Sequence, residues 1–408
     1  MENHGIRALQ HAQQIVAAYP GRGSATRAEA RAAAYVQQTL QKLGLTDIRV
    51  QSFSGLRSIW LFLSTAFGLA LSGHAAFWLL RHPIGPVPAL AITLAAFAVA
   101  GFLLWRKTSF KSYPLKDGLP HGPSQNVLAV IPPRQETQQQ VVLTANLDSH
   151  RAVWWFASDV LVQLYQKLTP VAVYGLAGAP LLYTLAVLTG WQVFAWLALI
   201  PALVQFLVWF TGVTADLGAY SSGANDNASS IGILLTLAER LLQAPLEQTE
   251  VWLAFTGCGA SGCEGMQTLL AEHGPELNEA LFLNFERVGI GDRLAALGAG
   301  GELEQLILES GKQTGLQPAQ GGRTEAFSQG QLLKKRGFAS IHIQSLRERT
   351  NLPPEWRRLT DTADRLQESA LDRAQDFAWA VMEIYRPANK SFSRTPAAAG
   401  GKDRINVS

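Results

Sequence analysis

The stretch Val141 to His150, VVLTANLDSH, decides the fold class, because a β-rich apolar run ends there in a cluster of polar side chains. Runs of the same buried-strand type recur along the chain: they lie at 126–131, 250–256, 280–285 and 338–343. Helical patterns separate them, at 26–43, 230–242 and 362–385. Strands that alternate with helices predict a three-layer α/β/α sandwich around a mostly parallel mixed sheet.

Two long apolar stretches interrupt this alternation. Residues 58–80 and 87–105 are each close to the length of about 20 residues that a helix needs to cross a bilayer. Residues 168–215 contain no Asp, Glu, Lys, Arg or His, and they are long enough for two crossings with a break near Gly190. An uncharged run of this length is exceptional in a soluble core. We therefore expect two transmembrane hairpins, with the lipid bilayer as the partner of four helices.

The hairpins divide a single soluble domain into three parts. The predicted segments are 1–56 (N-terminal part), 57–106 (first hairpin), 107–167 (middle part), 168–215 (second hairpin), 216–385 (C-terminal part) and 386–408 (disordered tail). The hairpin bases carry the basic residues Arg57, Arg106, Lys107, Lys111 and Lys167, whereas the tips carry only Arg81. Because basic residues concentrate on the cytoplasmic side, we expect a multi-pass inner- or plasma-membrane protein with a cytoplasmic soluble domain.

Composition excludes several classes of function. A chain of 408 residues that is 48% hydrophobic and only 16% charged is neither disordered nor a coiled coil. A net charge of +3 does not indicate a nucleic-acid partner. Two cysteines exclude a disulfide scaffold and fit a reducing compartment. The chain has no G-x-S-x-G motif and no phosphate-binding loop.

Polar clusters follow the predicted strands at the edge where sites form in such sheets. NLDSH follows 141–145, GCGASGCEG follows 250–256, and Glu286-Arg287 follows 280–285. Two further clusters are GANDNAS, at 223–229, and EWRRLTDT, at 355–362. In this order the clusters resemble those of the zinc-dependent aminopeptidases of peptidase class M28, and most closely the membrane-embedded bacterial members. Glutaminyl cyclases share that fold.

The resemblance implies a zinc-exopeptidase-like fold and a metal-bound water that attacks a carbonyl carbon while a carboxylate takes its proton. It also implies a set of ligand positions, most of which hold other residues here. The first His position is Asn146, followed by the orienting Asp148; the bridging carboxylate is Asp226; the Glu-Glu pair falls on Gly259 and Ala260; the next acidic ligand is Glu286; and the final His falls on Arg357. Only Asp226 and Glu286 would remain as metal ligands, and the general-base position is Gly259.

The resemblance therefore predicts a peptidase-like protein that has lost its catalysis. We expect no cofactor, no confident catalytic residue, and a cleft that binds peptides or the termini of membrane proteins. Arg357 is expected to take the place of the metal by pairing with Asp226 and Glu286, since an Arg side chain keeps its charge.

The alternative is an active metallo-aminopeptidase with a rebuilt or single-metal zinc site. His150 is the best additional ligand, and Cys258, Cys263 and Glu264 lie near the lost Glu pair. A third hypothesis is a transporter-like protein. The four predicted spans lack the paired charges within the membrane that would support it.

Overall fold

The computed structural model describes residues 4–114, 116–298, 300–319 and 326–386. Its strands are β1 Ile48–Leu56, β2 His121–Ile131, β3 Gln139–Asn146, β4 Thr249–Thr256, β5 Leu281–Phe285, β6 Arg293–Gly298 and β7 Ser340–Leu346. Its helices are α1 His4–Ala18, α2 Arg27–Lys42, α3 Ile59–Leu80, α4 Pro86–Thr108, α5 Asp159–Thr189, α6 Gln192–Leu197, α7 Leu199–Leu217, α8 Ser229–Gln243, α9 Glu264–His273, α10 Gly301–Thr314, α11 Gln329–Arg336 and α12 Glu368–Ile384.

The strands form one mixed sheet in the order β1-β2-β4-β3-β5-β7-β6. The central strands β4, β3, β5 and β7 are parallel, and β2, β1 and β6 run antiparallel to their neighbours. This arrangement confirms the predicted α/β fold with a mixed sheet. Because the central strands are parallel, β3, β4 and β5 end at one edge, and the segments after them lie side by side.

Helices cover both faces of the sheet, as buried strands of this kind require. Along β3, Val141, Leu143 and Ala145 face the core that α1, α2, α8 and α12 complete, whereas Val142 faces the core beside α9 and α11. Successive side chains of a strand point to opposite faces of the sheet, so β3 contributes to both apolar cores.

Four helical stretches are long and apolar enough to cross a membrane: Ile59–Leu80, Pro86–Thr108, Asp159–Thr189 and Gln192–Leu217. The break in the second hairpin lies where the sequence predicts it, since α5 ends at Thr189 and Gly190 adopts the left-handed conformation with φ 76°. Helix α5 begins at Asp159, nine residues before the predicted start of the hairpin at 168. The charged residues Asp159 and Lys167 lie in its first turns, and the hairpin boundary stays a prediction.

The ends of the second hairpin are held together beside the sheet. Arg151 and Tyr220 form an isolated antiparallel bridge. The Ala152 N–H donates to the Ala219 carbonyl at 3.0 Å, and the Ser221 N–H donates to the His150 carbonyl at 2.9 Å. The chain therefore leaves the domain just after His150 and returns to almost the same place.

Other boundaries also differ from the sequence patterns. β6, α9, α10 and α11 were not predicted, because each is short or contains glycines. The closing helix begins at Glu368 and not at Thr362, since residues 363–365 form a separate short turn. Of the predicted tail at 386–408, residues 387–408 lie outside the described part of the chain.

Candidate functional site

The predicted site residues come together at the edge of the sheet where β3, β4 and β5 end. Asn146 is the last residue of β3, Gly259 follows β4, and Glu286 follows β5 directly. One side chain joins two of these strand ends: the Asn227 amide donates to Asn146 Oδ1 at 2.8 Å and to the Phe285 carbonyl at 3.1 Å. The sheet geometry thus brings positions 140 residues apart in the sequence into one cluster.

Asp148 organises the loop after β4. Its Oδ1 accepts from the Gly259 N–H at 2.9 Å, and its Oδ2 accepts from the Ala260 N–H at 2.9 Å and from the Ser24 hydroxyl at 2.5 Å. Asp148 is fully buried, and burial raises its pKa despite these donors. The resemblance implies that Asp148 orients a metal ligand. In this structure Asp148 anchors the backbone of the loop after β4.

A second buried carboxylate holds the same loop one residue earlier. Glu29 of α2 accepts from the Cys258 N–H at 2.7 Å, from the Ala25 N–H at 2.9 Å and from the Ser124 hydroxyl at 2.8 Å. Burial and the neighbouring Asp148 charge raise the pKa of Glu29 to about 8. Together, Glu29 and Asp148 fix three successive backbone amides of this loop.

The fixed loop leaves no room for a side chain at the general-base position. A Cβ atom added to Gly259 would lie 2.5 Å from the Asn146 Cβ and 3.1 Å from Asp148 Oδ1. Real Cβ atoms do not approach other atoms so closely, so the loop would have to move. The absence of a carboxylate here is therefore built into the backbone path as well as into the residue type.

Asp226 lies in a kinked segment that precedes α8. The Asp361 carboxylate accepts from the Asn225 N–H at 2.6 Å and from the Asp226 N–H at 3.1 Å. Burial is the main cause that raises the pKa of Asp361, to about 7. Within the described residues, Asp226 Oδ2 is buried and has no hydrogen-bond partner. Asp361 thus aims the segment, and Asp226 Oδ2 has ion-pair contacts instead of hydrogen bonds: it lies 3.6 Å from Arg287 Nη1 and 3.7 Å from His150 Nε2.

Arg287 supplies positive charge to both carboxylates of the degenerate centre. Its Nη2 lies 2.9 Å from Glu286 Oε2, and its Nη1 lies 3.6 Å from Asp226 Oδ2. The guanidinium is only 2% exposed, and its Cζ lies 5.5 Å from the centre of the Trp356 ring. An internal cation therefore stands within reach of both remaining ligand positions.

The pairing of Arg357 with Asp226 and Glu286 stays a prediction; Arg357 lines the same cavity as the two carboxylates, and Arg287 is a cation beside them that the sequence analysis did not name. Arg357 adopts a left-handed backbone conformation with φ 53°, and its Cζ lies 5.1 to 5.8 Å from the rings of Trp60, Phe156 and Trp356. Aromatic faces attract a guanidinium at such distances. Arg287 could have been found from the sequence, because a basic residue directly after an acidic strand end is placed to neutralise it.

The proposed replacement ligands are separated from one another. His150 Nε2 lies 3.7 Å from Asp226 Oδ2, which is ion-pair distance. The Cys263 thiol donates to the Phe327 carbonyl at 2.8 Å, and burial raises the pKa of Cys258. Glu264 accepts from the Leu56 N–H and lies 3.5 Å from the Lys116 ammonium. Of these residues, only His150 is directed at the centre.

The side chains of the centre do not fit a zinc ion. Zinc is held by three or four protein ligands, with nitrogen and sulfur donors preferred. Over the described ranges, no three His, Cys, Asp or Glu side chains form a group that could hold a metal ion. The Arg287 guanidinium, at 2.9 and 3.6 Å from the two carboxylates, balances one of their two negative charges, and a divalent cation there would repel Arg287.

A cavity of about 720 Å³ extends from this centre towards the apolar helices. Its polar end is lined by Asn146, His150, Asp226, Gly259, Ala260, Glu286, Arg287, Gln329 and Arg357. Its other walls come from α3, α4, α5 and α7. The centre therefore lines a cleft that continues between the candidate membrane spans.

Comparisons with known proteins agree with this fold. Residues 209–382 match the model of peptidase family M28. Glutaminyl cyclase from Bacteroides thetaiotaomicron superposes with a TM-score of 0.56 at 13% identity, covering 94% of this chain and 98% of that protein. A zinc-dependent exopeptidase from Parabacteroides distasonis gives 0.54 at 14% identity, covering 93% and 98%.

A zinc aminopeptidase from Bacillus subtilis gives a TM-score of 0.54 at 14% identity, covering 92% of this chain and 94% of that protein. No curated protein matches the sequence. At these identities the solved structures establish the shared fold.

Proposed function

We propose that this chain, whose residues 209–382 match the model of peptidase family M28, is a membrane-anchored, non-hydrolytic member of that family that binds peptides or membrane-protein termini in the former substrate cleft. Arg287 carries this proposal, because its guanidinium lies 2.9 Å from Glu286 and 3.6 Å from Asp226. A fixed positive charge at this place opposes the binding of metal ions. It also makes a metal unnecessary for stabilising the two buried carboxylates.

The loss of the general base supports the same conclusion. Proton transfer requires a titratable side chain within hydrogen-bond reach of the attacking water. Positions 259 and 260 offer no such group, and the neighbouring Asp148 carboxylate already accepts from four donors.

Four apolar helices support membrane anchoring. Each is at least 22 residues long and includes a strongly apolar window. Because both hairpins begin and end at the soluble domain, all parts of that domain lie on one side of the bilayer, and the excess of basic residues at the hairpin bases favours the cytoplasm.

The ligand class follows from where the cleft lies. The cleft lies beside helices that would stand in the bilayer. Its polar end carries Asp226, whose buried Oδ2 makes no hydrogen bond within the described residues and only ion-pair contacts at 3.6 and 3.7 Å. An amino terminus on an apolar segment supplies donors and apolar surface together.

The deciding experiment measures metal content and hydrolysis on the same preparation. The full chain is purified in detergent, its zinc is quantified, and aminoacyl-p-nitroanilides are offered with added zinc, cobalt or manganese. We expect substoichiometric metal and no turnover above that of an Asp226→Ala variant. Stoichiometric zinc, or metal-dependent turnover that Asp226→Ala abolishes, would overturn the proposal.

One observation favours the second candidate, an active single-metal peptidase. His150 Nε2 lies 3.7 Å from Asp226 Oδ2, so these two side chains could share one ion. Under this alternative, His150→Ala abolishes any metal-dependent turnover, whereas under our proposal it leaves the absence of turnover unchanged.

A further inference from the structure

We propose that the base of the first hairpin binds the headgroups of anionic phospholipids. The surface that would bind them, the basic patch, combines the end of α4 and the residues after it with the last turn of α11, and its members are Arg106, Lys111, Lys334, Lys335 and Arg336. None of these residues lines the cleft. The inference rests on the proposed membrane anchoring and goes beyond it, because it gives a part of the soluble domain a contact with the bilayer.

Two basic residues of α11 contact the end of α4, although they lie 226 and 227 residues from their partners in the sequence. Lys335 donates to the Thr108 carbonyl, and Arg336 Nη2 donates to the Phe110 carbonyl at 3.1 Å. Lys334 precedes them on the same exposed turn of α11. The fold therefore carries three positive charges of the soluble domain to the base of a proposed span.

The end of α4 adds two positive charges of its own at the same place. Arg106 Nε donates to the Ser112 carbonyl at 2.5 Å, and Lys111 Nζ lies 5.4 Å from the centre of the Trp105 ring. Together with the two side chains of α11, four cationic groups therefore contact the short segment 105–112, which concentrates their charge.

The charges of the basic patch are not balanced within the described part of the chain, where no carboxylate lies at ion-pair distance from any of its five members. The base of the second hairpin is different. Asp159 lies 3.0 Å from Arg347 and 2.5 Å from Arg358. In the same region, Asp216 lies 3.5 Å from Arg151. An excess of positive charge therefore remains at the base of the first hairpin, where an external anion can balance it.

Support of α4 alone does not account for the basic patch. Basic side chains near the end of a helix stabilise its last carbonyls, and Lys335 contacts Thr108 in this way. The side chains of Lys111 and Lys334, in contrast, donate no hydrogen bond to any described residue, and both are exposed. An ammonium group has three donors and a guanidinium five. Donors therefore remain for the oxygen atoms of a phosphate group.

The basic patch lies at the depth of the lipid headgroups when α4 crosses the bilayer. Residues 87–105 carry no charge, and at 1.5 Å per residue they cover about 28 Å, close to the hydrocarbon thickness of about 30 Å. Trp105 ends this stretch and is 51% exposed, as is typical of an aromatic side chain at the interface. The Thr108 carbonyl that Lys335 contacts lies three residues further, or about 4.5 Å along the axis. Lys335 and its neighbours therefore reach the headgroup layer.

Anionic phospholipids fit this surface better than a soluble polyanion does. Clusters of about four to eight basic residues directly beside a membrane-spanning helix are typical of sites for anionic headgroups. Phosphate oxygens accept charge-assisted hydrogen bonds from ammonium and guanidinium groups. A nucleic acid or an acidic protein would have to displace lipid from the layer in which the basic patch lies, and the net charge of +3 on the whole chain gives it little long-range attraction.

Native mass spectrometry of the full chain in a neutral detergent measures this binding, with phosphatidylglycerol and phosphatidylcholine of identical acyl chains as the probes. We expect the wild type to bind phosphatidylglycerol at least tenfold more tightly than phosphatidylcholine. The patch variant, which combines Lys334→Gln, Lys335→Gln and Arg336→Gln, should lose most of this preference, because each basic residue beside an anionic surface contributes a gain of about fivefold.

A remote variant controls for net charge. It combines Lys42→Gln, Arg49→Gln and Arg134→Gln, which remove three exposed charges near the end of the sheet where β1 begins. The first hairpin leaves the opposite end of β1, since α3 follows Leu56 after two residues. The remote variant should therefore bind phosphatidylglycerol like the wild type.

A swap variant controls for packing against α4. It combines Lys334→Arg, Lys335→Arg and Arg336→Lys, which keep every charge and change the contacts to the Thr108 and Phe110 carbonyls. If charge carries the binding, the swap variant should keep the preference for phosphatidylglycerol.

Equal binding of the two lipids by the wild type would overturn the inference, and so would an equal loss of preference in the patch, remote and swap variants. Displacement of phosphatidylglycerol by an equal concentration of inorganic phosphate or single-stranded DNA would also overturn it, because a soluble anion would then be the ligand. Resistance to extraction by alkaline carbonate tests the membrane anchoring. Zinc content and p-nitroanilide turnover test the loss of catalysis, so the proposals can fail separately.

Discussion

At the scale of single residues, the centre is governed by charge balance. Asp226 and Glu286 are 3% and 6% exposed, and anions so deeply buried are costly unless they are paired. Arg287, the residue that directly follows Glu286 in the sequence, provides this pairing. This one residue thus supplies a permanent counter-ion that no change of metal supply can remove.

Replacing this counter-ion should both weaken the protein and open the centre to cations. In Arg287→Met, two buried carboxylates lose their partner, which we expect to destabilise the fold by about 3–5 kcal/mol. Thermal unfolding in detergent with and without zinc measures both effects. Zinc should raise the Tm of the variant and leave that of the wild type unchanged, since only the variant gains a site.

The control is Arg293→Met, which removes an arginine at an exposed position. A zinc-induced rise in the wild type equal to that in Arg287→Met would show that Arg287 does not exclude cations.

Asp361 gives the stability of the protein a dependence on pH. The pKa of Asp361 is about 7 in the folded chain and has its ordinary, lower value in the unfolded chain. At any pH between the two pKa values, the folded chain keeps this proton whereas the unfolded chain has released it. Stability from this group is therefore complete at low pH and falls, by up to about 1.4 kcal/mol per pH unit, as the pH rises towards 7.

The difference in Tm between wild type and Asp361→Asn isolates this effect. Titrated from pH 5 to 8, the wild type should lose stability relative to the variant up to about pH 7, with no further relative change above it. A difference that stays constant over this range would contradict the assignment.

Sequence reasoning located the centre but missed one of its cations. The strand-end rule placed Asn146, Gly259 and Glu286 at one edge of the sheet, and the resemblance added Asp226; the structure brings all four together. Arg357 was named as the counter-ion and Arg287 was not, because matching to a family position gives a place along the chain and no side-chain direction. The left-handed backbone at Arg357 and Arg287, with φ of 53° and 58°, sets those directions, and no pattern in the sequence indicates it.

At the scale of secondary-structure elements, the loop between β4 and α9 is held by partners distant in sequence. Glu29 and Asp148 each accept from its backbone amides, and Lys107 at the end of α4 lies 3.5 Å from the Ser261 carbonyl. The loop is therefore tied to the soluble core on one side and to the first hairpin on the other.

This tight fixation makes Gly259 intolerant of any side chain. Gly259→Ala would place a Cβ 2.5 Å from that of Asn146, and overpacking of this kind costs about 1–3 kcal/mol. Gly301→Ala, at the start of α10 where an added Cβ meets nothing within 4 Å, is the matched control and should be neutral or slightly stabilising. Chemical denaturation compares the two variants.

A loss of stability no larger in Gly259→Ala than in Gly301→Ala would mean that the loop relaxes freely. In that case the backbone path would not exclude a general base.

Elements with strong patterns were predicted well, and weakly patterned ones were missed. β3 and β4 differ from their predicted bounds by one or two residues, because continuous apolar runs bounded by polar clusters identify central strands. β6 and α10 flank Gly298 and Gly300 and have mixed composition, so their structure depends on packing against α12 and β7. That packing is a tertiary effect which local periodicity does not contain.

At the scale of the whole molecule, the two hairpins fix which parts of the chain share a compartment. Each hairpin returns to the soluble domain, so Leu359 of that domain and Ile84 at the first hairpin tip should lie on opposite sides of the membrane. Both side chains are exposed, and the two native cysteines are buried. Introduced cysteines at these positions can therefore be labelled selectively.

In right-side-out cells, a membrane-impermeant maleimide should label Ile84→Cys and leave Leu359→Cys unlabelled until the cells are opened. Labelling of both positions in intact cells would contradict the single-compartment arrangement. The reverse pattern would place the soluble domain outside.

The bridge between Arg151 and Tyr220 has a consequence for how the protein is made. Asp148 is synthesised before the second hairpin and Asp226 after it, so under the proposed membrane anchoring the two walls of the cleft are separated by a segment that enters the lipid first. The hydrogen bonds around the bridge form only after both ends of that segment have returned to the soluble domain. We therefore expect membrane insertion to precede assembly of the cleft.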